Sequence, residues 1–188
     1  MKNSFKKLFA TVSTLAIIGT AFVGVHSASA ATSDTVIKGG SLTVTDNPTI
    51  SNFADVTLNG KIQTTNANID NLIVTDATGT GNGWNVNIEA SPFTNSETNS
   101  TLPEGSLTIA APTLTAEDGS SDPNNINIVD GAIDKQAGID VLAAPNNEGM
   151  GTYTATFPEN ALTLNLKPKD VKEGTYTSTI TITVVSAP

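Results

Sequence analysis

Residues 72–88 read LIVTDATGTGNGWNVNI, and this stretch decides the fold class. Leu72 and Val74 alternate with Ile73 and Thr75, and Trp84, Val86 and Ile88 alternate with Asn85 and Asn87. A period of two puts Trp84, Val86 and Ile88 on one face of a strand. Between the two runs, Asp76–Gly83 holds Gly79, Gly81 and Gly83 with Asp76 and Asn82, residues that tolerate positive φ. The stretch reads as two strands joined by a hairpin-like glycine turn.

The same alternation recurs along the chain. Leu42 and Val44, Leu107 and Ile109, and Ile126 and Ile128 each flank a polar residue. Tyr153, Ala155 and Phe157 alternate with threonines, and Leu162, Leu164 and Leu166 with Thr163 and Asn165. Near the end, Tyr176, Ile180, Ile182 and Val184 share one face, and Thr177, Thr179, Thr181 and Thr183 the other. Threonine suits the wet face of a sheet. Asn95–Pro103 and the acidic Ala116–Asn125 read as loops. No amphipathic helix stands out after residue 30, so the expected fold is all-β, a single antiparallel β-sandwich of immunoglobulin-like type.

The first thirty residues have another purpose. Lys2, Lys6 and Lys7 precede an uncharged apolar run, Leu8–Val25, and Ala28-Ser29-Ala30 supplies small residues for cleavage. This is the three-part pattern of a secretory signal peptide. The expected organisation is a signal peptide over 1–30, a lead-in over 31–41 and one domain over 42–188. Cleavage after Ala30 leaves 158 of the 188 residues, enough to bury a core without a metal or disulfide. There is no cysteine, so an exported chain must rely on that core.

Removing the signal takes three of the nine lysines and the only histidine, His26. Six lysines then face eighteen carboxylates, a net charge of −12, with no arginine. This excludes a Ser-His-Asp or Cys-His nucleophile and a His- or Cys-ligated zinc. An acidic surface also repels nucleic acid and anionic lipid. Asp118, Asp122 and Asp130, with Asn124 and Asn125, offer oxygen ligands for calcium, but their spacing lacks the alternate-position pattern of a calcium loop, so they read as a solvated loop and no metal is expected. No carboxylate pair is placed by the sequence across a cleft, as a glycosidase needs.

Four blocks carry a family likeness: LIVTDATGTGNGWNVNIEASPF (72–93), LPEGSLTIAAP (102–112), GMGTYTATFPENALTLNLKP (149–168) and GTYTSTITITVVSAP (174–188). In order and spacing they resemble the WxL-domain proteins, surface proteins of Gram-positive bacteria held non-covalently on the cell wall. That family is named for two Trp-x-Leu motifs. Here the first is Trp84-Asn85-Val86, and the position of the second holds Ile182-Thr183-Val184. The resemblance implies a secreted, extracellular, non-catalytic protein that binds peptidoglycan without a cofactor and assembles with WxL-interacting or other WxL surface proteins. Trp84, Val86, Ile182 and Val184 are the motif residues; their in-phase apolar neighbours favour core packing over ligand contact. A self-assembling extracellular structural or matrix subunit is the alternative, with the long threonine-rich last strand as its edge.

Overall fold

In the computed structural model the described residues are 32–44 and 48–187. The predicted signal peptide and its cleavage site lie outside them. Residues 32–36 carry no regular element, and the strands all belong to the compact unit that begins at Ile37.

Among the described residues, fourteen short strands are arranged in antiparallel sheets. One sheet is ordered β1 (Leu42–Val44), β3 (Leu72–Asp76), β12 (Gly151–Thr156), β8 (Thr113–Ala116). A second is ordered β10 (Gly131–Ala132), β7 (Leu107–Ile109), β13 (Leu162–Leu166), β2 (Gln63–Ala67). The third is ordered β14 (Ile180–Ser186), β4 (Trp84–Ala90), β11 (Ile139–Ala144), β9 (Asn127–Ile128), and β5 (Thr94–Asn95) pairs with β6 (Ser100–Thr101).

The first two sheets form one interrupted layer. β2 runs on into β3, β7 into β8 and β12 into β13, and the three pairs neighbour one another in the same order in both sheets. The interruption falls at residues 68–71, 110–112 and 157–161. It is held by Ala110 N donating to the Ala161 carbonyl oxygen at 2.8 Å and Asn160 N donating to Asn68 Oδ1 at 2.7 Å. The third sheet is the opposite layer. Leu72, Val74, Tyr153, Leu107 and Leu162 from one side and Trp84, Val86, Ile88, Val141 and Leu142 from the other share one core. The architecture is an all-β antiparallel sandwich.

The structure corrects the reading of residues 72–88 as a hairpin. β3 pairs with β1 and β12, whereas β4 pairs with β11 and β14, so the two strands lie in opposite layers. The glycine turn is therefore a crossover. Asp76 Oδ1 accepts from Thr78 N and Thr78 Oγ1, and Gly79, Gly81 and Gly83 all take φ between 68° and 75°. Gly81 and Gly83 carbonyl oxygens accept from Asn147 N and Ala187 N, which anchors the crossover to neighbouring segments as well.

The last strand is shorter than its alternation suggests. It begins at Ile180; Thr177 makes only an isolated bridge to Thr94. Ser91 interrupts the ladder between them, its Oγ accepting from Thr179 N and its carbonyl oxygen from Ser178 Oγ. The expected loop 95–103 holds all of the small β5–β6 hairpin except Thr94, and the acidic loop contains a 3-10 turn, Pro123–Asn125, capped by Asp122.

Candidate functional site

Trp84 sits on β4, a strand flanked on both sides, and is fully buried. Its ring centroid is 5.8 Å from that of Tyr153 in the opposite layer, at an interplanar angle of 60°. Nε1 donates to the Gly149 carbonyl oxygen at 2.8 Å, so its one polar atom is satisfied in the core. One glycine makes room for the indole and a second for the backbone beside it. Gly149 has φ +78°, and a Cβ there would lie 2.5 Å from Trp84 Nε1 and from Ala144 Cβ. Gly83 has φ +75°, and a Cβ there would strike the Ala144 carbonyl oxygen. Tyr153 shares its hydroxyl proton between the carbonyl oxygens of Ser121 (3.0 Å) and Met150 (3.1 Å). Burial pushes the Tyr153 phenol above its ordinary range; the hydrogen bond to Ser121 opposes this, and the charges of Glu148 and Asp76 add to it.

The two motif positions are adjacent. β14 runs antiparallel to β4 with Ile182 opposite Ile88, Val184 opposite Val86 and Ser186 opposite Trp84. Trp84 and Val86 are fully buried, while Ile182 and Val184 are half-buried because β14 is an edge strand. Replacing a ring at position 182 by isoleucine keeps an apolar group over Ile88 at the rim of the core.

The acidic loop is not brought to a common point. Asp122 Oδ1 accepts from Asn124 N and Asn124 Nδ2, and Asn125 Nδ2 donates to Glu148 Oε1. Among the described residues no cluster of three His, Cys, Asp or Glu is arranged to hold a metal ion. The carboxylate with the most built surroundings is one that sequence reasoning passed over. Asp134 is 1% exposed, with Oδ1 accepting from Gly105 N at 2.8 Å and Oδ2 from Ser106 N and Leu107 N at 2.9 Å each. It ties the 133–135 turn to the start of β7, and the Gly105-Ser106 pair within LPEGS was its only sequence trace.

A groove of about 980 Å³ lies between residues 50–58 and 171–178. Phe53, Phe93 and Tyr176 line it with Val56, Leu58 and Lys172. Phe93, Phe157, Tyr153 and Trp84 are buried, whereas Phe53 and Tyr176 are half-buried, and both face this groove. Phe53 stands edge-on to Phe93 with centroids 5.5 Å apart. Tyr176 Oη accepts from Lys172 N at 3.0 Å, and Asn95 Nδ2 donates to the Glu173 carbonyl oxygen at 3.3 Å, so this wall is pinned to the sandwich. On the other wall, Ala54 and Thr57 carbonyl oxygens accept from Thr65 Oγ1 and Gln63 Nε2 of β2. Alternation had placed Tyr176 on a core face; the start of β14 at Ile180 releases it to the groove.

Among the described residues no helix is long and apolar enough to cross a membrane. No curated protein and no solved structure matches the chain. Residues 28–188 match the family model of the WxL domain, described as surface cell wall-binding, and the chain therefore belongs to the WxL family.

Proposed function

We propose that this protein is exported, released from its signal peptide after Ala30, and held non-covalently on the Gram-positive cell wall, where the groove between residues 50–58 and 171–178 receives peptidoglycan without cleaving it. One observation carries the choice of site: among the described residues, the two aromatic rings left accessible by the core, Phe53 and Tyr176, lie in the same groove. A concave surface of several hundred Å³ lined by aromatic groups and a few polar ones is the usual form of a small-ligand site. Its charged members are few, Asp55, Lys172 and Glu173. That suits an uncharged glycan. A chain at −12 is repelled by anionic wall polymers over about 10 Å at 0.1 M salt. Attachment through neutral sugar avoids that repulsion. WxL-interacting and other WxL proteins would then join a chain already on the wall.

The test is sedimentation of the pure mature protein with purified peptidoglycan. The expected result is pelleting without any other protein, unchanged by chelator, with no soluble muropeptides released. Retention in the supernatant until a second surface protein is added overturns direct binding. Release of muropeptides overturns the non-catalytic reading.

A further inference from the structure

The six lysines of the mature chain are not spread as its eighteen carboxylates are. Four of them, Lys61, Lys167, Lys169 and Lys172, fall in residues 50–61 and 167–178, the two segments that carry the walls of the groove. The carboxylates in those segments are Asp55, Asp170 and Glu173. The two segments therefore hold a net charge of +1. The rest of the mature chain, with two lysines and fifteen carboxylates, holds −13.

The ladder between β13 and β2 sets this juxtaposition. Leu166, which lines the groove, pairs with Gln63, so Lys167 and Lys61 leave the sheet at the same end of two neighbouring strands. Lys61 sits in a closed turn: its N donates to Asn59 Oδ1 at 2.9 Å, and Asn59 N donates to Gln63 Oε1 at 3.2 Å. Asp170 N donates to the Lys167 carbonyl oxygen at 2.9 Å and closes the turn that holds Lys169. Lys172 lines the groove itself. All four are exposed, and among the described residues none of their ammonium groups is paired with a carboxylate. The other two lysines lie apart. Lys38 precedes Gly40, whose N donates to the Ala77 carbonyl oxygen at the crossover, and Lys135 follows β10, at the opposite edge of the sheet from β2.

We propose that this lysine rim receives the free carboxylates of the short peptides that peptidoglycan carries on its sugars, while the groove holds the sugar; the inference rests on the groove reading above. Charge complementarity names the occupant. An acidic polymer is repelled by the remainder of the chain at −13, and the rim is where that repulsion reverses. An anionic wall thus turns the molecule so that the groove end leads. Lysine offers a compact point charge without the planar fork of arginine, so it takes a carboxylate on a flexible peptide without demanding one geometry. Contacts of this kind on an exposed rim are individually weak and are screened by salt. Their effect is selective: a bare neutral glycan gains nothing from the rim, and a glycan bearing acidic peptides does.

Two double variants of equal net charge give the test. Lys61→Gln with Lys172→Gln empties the rim, and Lys38→Gln with Lys135→Gln removes the same charge elsewhere. All four positions are exposed, so both should unfold at the wild-type denaturant midpoint. Each is sedimented with peptidoglycan stripped of secondary polymers, at about 0.01 M and about 1 M salt, where charges are felt over about 30 Å and 3 Å. The same peptidoglycan with its carboxylates converted to amides is the second probe. At low salt the rim variant should need at least about fivefold more wall than the charge-matched variant. The difference should vanish at high salt and on amidated wall. Equal binding of the two variants at low salt overturns the rim alone, and the groove reading then stands or falls with Tyr176→Ala. A difference that persists on amidated wall shows that the lysines do not meet carboxylates and overturns the proposal. So does a difference seen only when phosphate-bearing wall polymers are left in place, which makes those polymers the partner. Failure of the wild type to pellet with any peptidoglycan overturns the groove reading and the rim with it.

Discussion

Trp84→Ala is the perturbation that examines the core most severely. The side chain is fully buried between the layers, tilted against Tyr153 and bonded through Nε1 to Gly149. Emptying a large aromatic site costs about 3–5 kcal/mol. The Gly149 carbonyl group, itself buried, loses its donor, which adds about 1–3 kcal/mol unless water enters the void. The sum, about 4–8 kcal/mol, is comparable to the roughly 5–15 kcal/mol stability of a whole domain. Trp84→Phe keeps a ring against Tyr153 but loses the indole N–H, and about 2–4 kcal/mol is expected from the lost bond and smaller void. Trp84 is the only tryptophan, so its fluorescence disappears in both variants. Urea titration followed by far-ultraviolet circular dichroism is the suitable assay, with midpoints compared at constant slope. A loss below about 1 kcal/mol for Trp84→Ala would refute the assignment of Trp84 as the centre of the sandwich, because surface substitutions typically fall within ±0.5 kcal/mol.

The same geometry fixes three further outcomes. Gly149→Ala should cost at least about 2 kcal/mol, from a left-handed backbone and a Cβ driven against Trp84 Nε1, and clearly less in a Trp84→Phe background; equal costs in the two backgrounds would show the pair uncoupled. Asp134→Asn should cost about 2–3 kcal/mol in chemical denaturation, because the amide keeps one accepting oxygen and turns an NH2 donor toward a backbone N–H, while Asp130→Asn on the exposed side should cost within about 0.5 kcal/mol. Tyr153 holds its proton above the unfolded value of about 10, so its contribution is complete below that pH and is lost as pH rises through the folded-state value; wild-type stability should fall more steeply above pH 10 than that of Tyr153→Phe, and parallel curves would disprove the coupling.

The strands legible in the sequence were those whose apolar face is unbroken. β4 and β13 show period two along their whole length, and their alternating burial follows it. β11 was missed because a bulge between Asp140 and Leu142 puts consecutive residues, Val141 and Leu142, both into the core and breaks the alternation. β2, QTTNA, was missed because it buries Thr65, whose hydroxyl donates to the Ala54 carbonyl oxygen, where a pattern reader expects an aliphatic group. The partner of a strand is less visible still. Nothing local in 76–83 distinguishes a hairpin turn from a crossover, since both need the same positive-φ glycines; the anchors, Asn147 and Ala187, lie far along the chain. The groove was illegible for the same reason. Phe53 and Tyr176 are more than a hundred residues apart, and only the early end of the β14 ladder, set by Ser91, turns Tyr176 toward Phe53's side of the molecule.

The groove's role as the wall-binding surface is tested most directly by one comparison. Wild-type protein and Tyr176→Ala, shown to unfold at similar denaturant midpoints, are sedimented with purified peptidoglycan over a range of wall concentrations. If the groove binds the wall, the wild type pellets with it and Tyr176→Ala needs at least about tenfold more wall to do so, a loss of about 1.4 kcal/mol. Equal pelleting of the two, or a wild type that stays in solution, would contradict that role.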